Sequence, residues 1–301
     1  MPFLQLTLSL GAADPEPFED VLLGVGASSI TLEDAQDNPV LEPAPGTTPL
    51  WPQVKLKALF EADVSRDAIL DALRAELGEE VPQAQFAIIE DRVWEREWLK
   101  DFKPMRFGNR LWICPGGQKP PDSGFPIPDS ERPCIITLDP GLAFGTGTHP
   151  TTALCLEWLD ANDVRSKRVI DYGCGSGILA IAALKLGARE VYAVDIDPQA
   201  LLATKDNATL NAVQDRLRVG TVSELKGVQA DVLLANILAE PLKELAPTFS
   251  ELVVRGGRIV LSGVLTLQAQ ELAARYTPWF DIAPAAIRDD WARIDGARRA
   301  S

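Results

Sequence analysis

The 301-residue sequence predicts an α/β fold, a doubly wound parallel sheet in the C-terminal half preceded by a smaller α+β domain of ferredoxin-like type. Three observations carry this. Val169-Ile170-Asp171 runs into a loop with glycine at alternate positions, Gly173, Gly175 and Gly177, and the apolar run Val191-Tyr192-Ala193-Val194-Asp195 follows as the next strand of a βαβ unit. Two more apolar runs, Asp231 to Ala235 and Arg258 to Ser262, continue the alternation of strand and helix. The first 90 residues contain two strand, helix, strand patterns of their own.

In chain order, Phe3-Leu4-Gln5-Leu6-Thr7-Leu8 alternates like a half-buried strand, Glu16 to Gly24 reads as a helix, and Ser29 to Glu33 reads as a strand. Val54 to Phe60, Arg66 to Leu77 and Ala87-Ile88-Ile89 repeat the theme, which sets a domain at 1–90. Residues 91–138 form an expected connector rich in aromatics and prolines, with Trp94 and Trp98 at i and i+4 on one helix face. Its aromatics either dock the two domains or line a substrate approach. The second domain, 139–301, is expected to have strands at Arg168 to Asp171 and Val191 to Asp195, with helices at Gly177 to Leu186 and Pro198 to Asn211. Helices are also expected near Leu242 to Leu252 and Thr266 to Arg275, and Phe280 to Ile287 with Trp291 to Ile294 should form a closing hairpin.

The glycine loop points to a nucleoside site. Glycine lacks a β-carbon and lets backbone N–H groups approach a ligand closely. In an open α/β sheet ligands bind at the carboxyl ends of strands, where Asp195 offers acceptors to a ribose diol. Ile178 stands where the dinucleotide fingerprint needs its last glycine, which disfavours a nicotinamide-dependent oxidoreductase. The GxGxG spacing resembles class I methyltransferases that use S-adenosyl-L-methionine.

Asp139 to Thr152 is too rich in glycine and threonine for a routine connection. Pro150 suits the first turn of a helix, which puts Thr148 or His149 near its N-cap. The N–H groups and partial positive charge of such a helix end suit the carboxylate of a methionine moiety, and Thr152 can add a hydroxyl. The threonines either cap the helix or reach the cofactor, and Phe144 either packs or covers it. His149, the sole histidine, is read as support or contact rather than as a general base. Asn236 ends a buried strand, where its amide oxygen can accept from an amine and make it the candidate catalytic residue. Amino-methyltransferases of this class follow such an Asn with prolines, whereas here Ile237-Leu238-Ala239-Glu240 precedes Pro241, which argues for an acceptor site wider than a nucleobase slot.

Composition narrows the class. Hydrophobic content of 46% beside 24% charged residues fits a soluble chain, and no apolar segment approaches the ~18 residues of a membrane span. Met1-Pro2-Phe3-Leu4-Gln5 lacks signal-peptide character, so a cytoplasmic location is expected. Four scattered cysteines and one histidine leave no metal-ligand set, and no GxSxG pattern marks a hydrolase. A net charge of −14 opposes direct nucleic-acid binding and suits a basic partner, although it also serves solubility.

Taken together, Asp139 to Thr152, Asp171 to Gly177, Asp195-Ile196-Asp197-Pro198 and Asn236 to Leu242 closely resemble the PrmA family of ribosomal protein L11 methyltransferases. The resemblance covers the whole chain, including Trp94-Glu95-Arg96-Glu97-Trp98 and Pro104-Met105-Arg106-Phe107-Gly108. It implies a class I methyltransferase domain, Rossmann-like, with an N-terminal substrate-recognition domain. The implied activity is repeated N-methylation of that ribosomal protein on its N-terminal α-amine and lysine ε-amines. Implied cofactor contacts fall at Thr152, Gly173, Asp195 and Asn236. Gly175, Ile196, Phe144, Thr148 and His149 complete the candidate set. On sequence, an N-methyltransferase for nucleic acid or a small metabolite and a noncatalytic cofactor-binding module stay open as alternatives.

Overall fold

The alternation of the first strand is realised in β1 (Phe3–Gly11), where Leu4, Leu6 and Leu8 are buried and the residues between them are half-exposed. The computed structural model describes residues 2–36, 50–78, 82–89, 103–116, 118–120, 133–138 and 148–300. The chain divides into two compact units, Met1–Trp94 and Glu95–Ser301.

In the first unit β1 is followed by α1 (Glu16–Gly24), β2 (Ser29–Asp34), β3 (Val54–Glu61), α2 (Arg66–Leu77) and β4 (Ala84–Ile89). The strands pair antiparallel in the order β2-β3-β1-β4, the ferredoxin-like arrangement. Leu22 of α1 and Ile69 and Leu73 of α2 bury against Leu56, Ala58 and Phe60 of β3, so one sheet face carries the core.

The second unit opens with β5 (Met105–Phe107), β6 (Leu111–Pro115) and β7 (Cys134–Leu138), a three-stranded sheet within the expected connector. Phe107, Leu111, Ile113, Ile136 and Leu138 share a core with the helices that follow. Residues 90–102, with Trp94, Trp98 and Phe102, and residues 139–147, with Phe144, lie outside the described residues. Then come α3 (Pro150–Ala161), β8 (Arg168–Tyr172), α4 (Ile178–Lys185), β9 (Glu190–Val194), α5 (Pro198–Leu210), β10 (Leu217–Gly220) and β11 (Ala230–Asn236). The chain ends with α6 (Ala239–Glu244), α7 (Ala246–Leu252), β12 (Val253–Leu265), α8 (Thr266–Tyr276), β13 (Phe280–Ile282), β14 (Ala286–Arg288) and β15 (Trp291–Arg298).

The main sheet runs β10-β9-β8-β11-β12-β15-β13, parallel from β10 to β12, with β15 inserted antiparallel and β14 paired to it. Successive residues of its strands bury against opposite layers. Val169, Val191 and Val232 face α3 and α4, while Ile170, Leu233 and Ile259 face α6, α7 and α8. The sequence expects one helix over 242–252, but it is two: Pro247 in the first turn of α7 has no N–H for the preceding turn. The short β10 has no counterpart in the sequence expectation.

The order of strands reverses between β9 and β11 on either side of β8. That places a crevice at their carboxyl ends.

Candidate active site

The loop after β8 turns on three left-handed glycines, Gly173 (φ 77°), Gly175 (φ 54°) and Gly177 (φ 78°), which few other residues tolerate. Gly173 and Cys174 donate their N–H groups to Val194 O at 2.8 and 3.1 Å, which sets the loop against the end of β9. From behind, α5 holds it with polar groups on its buried face. The Thr204 hydroxyl donates to Gly175 O at 2.9 Å, and Asn207 Nδ2 donates to Ser176 O at 2.9 Å. At the end of the same helix Asn211 Nδ2 donates to Thr137 O at 2.6 Å, and Asn211 Oδ1 accepts Thr137 N–H at 2.9 Å, so an amide stands in for a strand partner of β7.

Asp195 follows β9 and meets this loop directly. Its Oδ2 accepts the Gly175 N–H at 2.9 Å and its Oδ1 accepts the Asp197 N–H at 3.0 Å. A carboxylate has about four lone-pair positions, so each oxygen retains one for a ligand. Under the loop, Asp171 is 1% exposed, and its Oδ2 accepts the Ala180 N–H at 2.9 Å. Burial pushes its carboxyl up to about 7, against the pull of that N–H, and the charge of Asp195 adds to the rise. Asp171 Oδ1 has no partner among the described residues.

One cavity of about 560 Å³ gathers these groups. Gly173, Gly175, Asp195, Ile196, His149 and Asn236 all line it, joined by Thr151, Tyr172, Val222, Leu238, Gly263 and Trp291. Its polar atoms are few and its wall is mostly apolar, the usual make-up of a small-molecule site. Ile196 is 90% exposed and Leu238 58% exposed, an apolar rim that a planar base would cover.

His149 caps α3: its Nδ1 accepts the Thr151 N–H at 3.4 Å and lies 2.7 Å from the Thr151 hydroxyl, which donates to it. Burial lowers its affinity for a proton, and its ring meets Trp291 edge to face at 4.6 Å. As the cap of α3, His149 stands in the wall of the cavity.

Of the threonines, Thr151 lines the cavity, whereas Thr152 is 1% exposed and its hydroxyl accepts from Asn236 Nδ2 at 3.2 Å. Thr148 is exposed and is not among the lining residues. Asn236 pairs with Ser262 across β11 and β12, so its backbone is fixed by the sheet.

Ile237, next in the chain, is held between two glycines. A Cβ at Gly173 would collide with Ile237 Cγ2, and one at Gly263 (φ 86°) would collide with the Ile237 carbonyl. Trp291, Gly263 and Val222 come from elements far along the chain, and sequence reasoning did not select them. The helical spacing of Thr204, Asn207 and Asn211, a polar stripe on a face that should be apolar, was a signal that could have found the loop's support.

The strand order, with its antiparallel β15 beside β12, and the cavity at the switch point define a class I S-adenosylmethionine-dependent methyltransferase. The chain belongs to the ribosomal protein L11 methyltransferase (PrmA) family, whose model matches residues 2–299. It is 51% identical over 300 residues to the ribosomal protein L11 methyltransferase of Pseudomonas putida (strain GB-1), covering 99% of this chain and 100% of that one. With the protein of the same name from Pseudomonas aeruginosa (strain LESB58) it shares 51% over 301 residues, 100% of both chains. Among solved structures, ribosomal protein L11 methylase from Lactobacillus delbrueckii subsp. bulgaricus aligns with a TM-score of 0.57 at 32% identity, covering 66% of this chain and 100% of that chain.

Proposed function

We propose that this enzyme transfers methyl groups from S-adenosylmethionine to ribosomal protein L11, on its N-terminal α-amine and on lysine ε-amines. The observation that carries the reading is the meeting in one cavity of a diol-binding carboxylate, Asp195, and a strand-end amide, Asn236. The residues present fit the cofactor. Asp195 keeps a lone pair on each oxygen for two hydroxyls, Gly173 and Gly175 open the backbone to close approach, and Ile196, Val222 and Leu238 offer an apolar slot for the adenine.

When bound, S-adenosylmethionine supplies a sulfonium methyl: the amine lone pair forms the C–N bond as the C–S pair returns to sulfur. The amine must first lose its proton to water. At pH 7 that costs about 4.6 kcal/mol for an ordinary lysine and about 1 kcal/mol for an α-amine. The apolar wall disfavours an ammonium, which reduces this cost for both. Asn236 then accepts an N–H of the neutral amine and turns its lone pair to the methyl. Residues 1–90 serve as the recognition domain, and the enzyme works in the cytoplasm, where its ribosomal substrate is made. Among the described residues no helix is long and apolar enough to cross a membrane.

The test is competitive: labelled S-adenosylmethionine is offered with ribosomal proteins, ribosomal RNA and a metabolite extract. Label is expected in L11 alone. Label in RNA or in metabolites, with L11 blank, would overturn the assignment.

A further inference from the structure

Glycine takes either sign of φ with nearly equal ease, so a loop glycine does not choose its own conformation. Gly175 sits at φ 54° with no side chain to anchor it, and its handles are one N–H and one carbonyl. Both are engaged. The N–H donates to Asp195 Oδ2, and the carbonyl accepts from the Thr204 hydroxyl, each at 2.9 Å. Chemistry forces the direction of these bonds: a backbone N–H only donates and a carbonyl oxygen only accepts, so the single hydroxyl proton of Thr204 goes to Gly175 O. Cys174 Sγ, 3.3 Å from the same hydroxyl, is a weaker acceptor and does not displace that carbonyl.

Thr204, in the second turn of α5, is fully buried, and Asn207 three residues on is 2% exposed. That spacing brings both side chains to one helix face, where they meet the consecutive carbonyls of Gly175 and Ser176. A Cβ at Gly177 would strike the Thr204 methyl, so the loop packs directly on this side chain. The other bond on Asp195 comes from the same helix. Its Oδ1 takes the N–H of Asp197, the N-cap of α5, whose own carboxylate accepts the Gln199 N–H at 2.8 Å. Both hydrogen bonds that orient Asp195 therefore trace back to α5, one through its cap and one through Thr204. A carboxylate held at one oxygen can swing about that bond, whereas one held at both has its plane set.

We propose that Thr204 is a positioning residue for the sugar subsite: by holding the Gly175 carbonyl it keeps the Gly175 N–H on Asp195 Oδ2, and so fixes the carboxylate that meets the vicinal diol. The proposal rests on Asp195 taking the ribose of S-adenosylmethionine. It gives Thr204, which is buried beneath the loop and outside the cavity wall, a share in cofactor affinity and none in the methyl transfer itself.

The test combines calorimetric binding of S-adenosylhomocysteine, thermal denaturation and steady-state kinetics on the full-length enzyme. Thr204→Val keeps the shape and removes the donor, so affinity should fall about 10-fold and the cofactor KM rise in step, with kcat at saturating cofactor within about 3-fold of normal. Thr204→Ser returns the hydroxyl and should keep affinity within about 3-fold. In an Asp195→Ala background the same Thr204→Val change should cost less than about 2-fold, because the two side chains act in series. Thermal denaturation certifies that each protein is folded at the temperature of the titration, and Thr204→Ala is read in the same way should the valine variant not fold. Normal affinity in Thr204→Val, or an equal loss with and without the Asp195 carboxylate, overturns this inference alone. A kcat that falls while affinity holds also overturns it. Normal affinity in Asp195→Ala removes the underlying reading and the inference with it.

Discussion

Asp195 accepts the backbone N–H of Gly175 at 2.9 Å, so the ends of β8 and β9 are tied together through a carboxylate that also faces the cavity. The same side chain sets the loop and offers lone pairs to a ligand. Asp195→Ala removes both functions. S-adenosylhomocysteine affinity should drop by about 10- to 100-fold, the loss expected for hydrogen bonds to a charged group, and calorimetry reads it directly. Unchanged affinity would mean that the sugar is held elsewhere.

Asp171 gives the fold a pH signature. Burial raises its carboxyl to about 7 in the folded chain, whereas an unfolded aspartate titrates near ~3.9. Between about pH 4 and pH 7 the folded state keeps a proton that the unfolded state has released, so this group's contribution to stability falls as pH rises through that window. Asp171→Asn keeps an acceptor for the Ala180 N–H and cannot titrate. Its stability in urea should therefore decline less than that of the parent from pH 4 to pH 7, and parallel slopes for the two proteins would contradict this.

Asp160 clasps the turn between β5 and β6 to the end of α3. Its Oδ2 accepts the N–H groups of Asn109 at 2.6 Å and Arg110 at 3.3 Å, and Arg110 Nε donates to its Oδ1 at 3.3 Å. Asp160 is 8% exposed, and Gly108 leaves the room it needs, since a Cβ there would collide with its carboxylate. Asp160→Ala strands these donors and should lower stability by about 2–4 kcal/mol, read from denaturant melts, with cofactor binding preserved.

Division of the chain into two compact units predicts separable functions. Removal of the residues before Glu90 should leave S-adenosylhomocysteine affinity within about 3-fold and abolish transfer to ribosomal protein L11. Normal methylation of L11 by the shortened chain would reassign recognition to the second unit.

Much of this architecture is legible in the residues. Period-two leucines mark β1, and helical spacing marks α1 and α2 at the bounds observed, because each buries one face. The strand-end placement of Asp195 and Asn236 is legible for a related reason, since an apolar run that stops at a polar residue stops where the sheet does. The opposite wall is not. Trp291 arrives from β15, Gly263 from an irregular stretch of β12 and Val222 from the turn after β10, and only the strand order brings them to the end of β8. A run of threonines likewise does not say which hydroxyl meets solvent and which meets Asn236. That choice belongs to the rotation of α3 against β11.

Ile237 is where this enzyme forfeits independent adjustment. Wedged between Gly173 and Gly263, the residue after Asn236 makes one mechanical part of the glycine loop and the strand end that carries the amide. Protein engineers who reshape position 237 to admit a bulkier ligand will also loosen the turn at Gly173, so breadth on one wall of this cavity trades against firmness on the other.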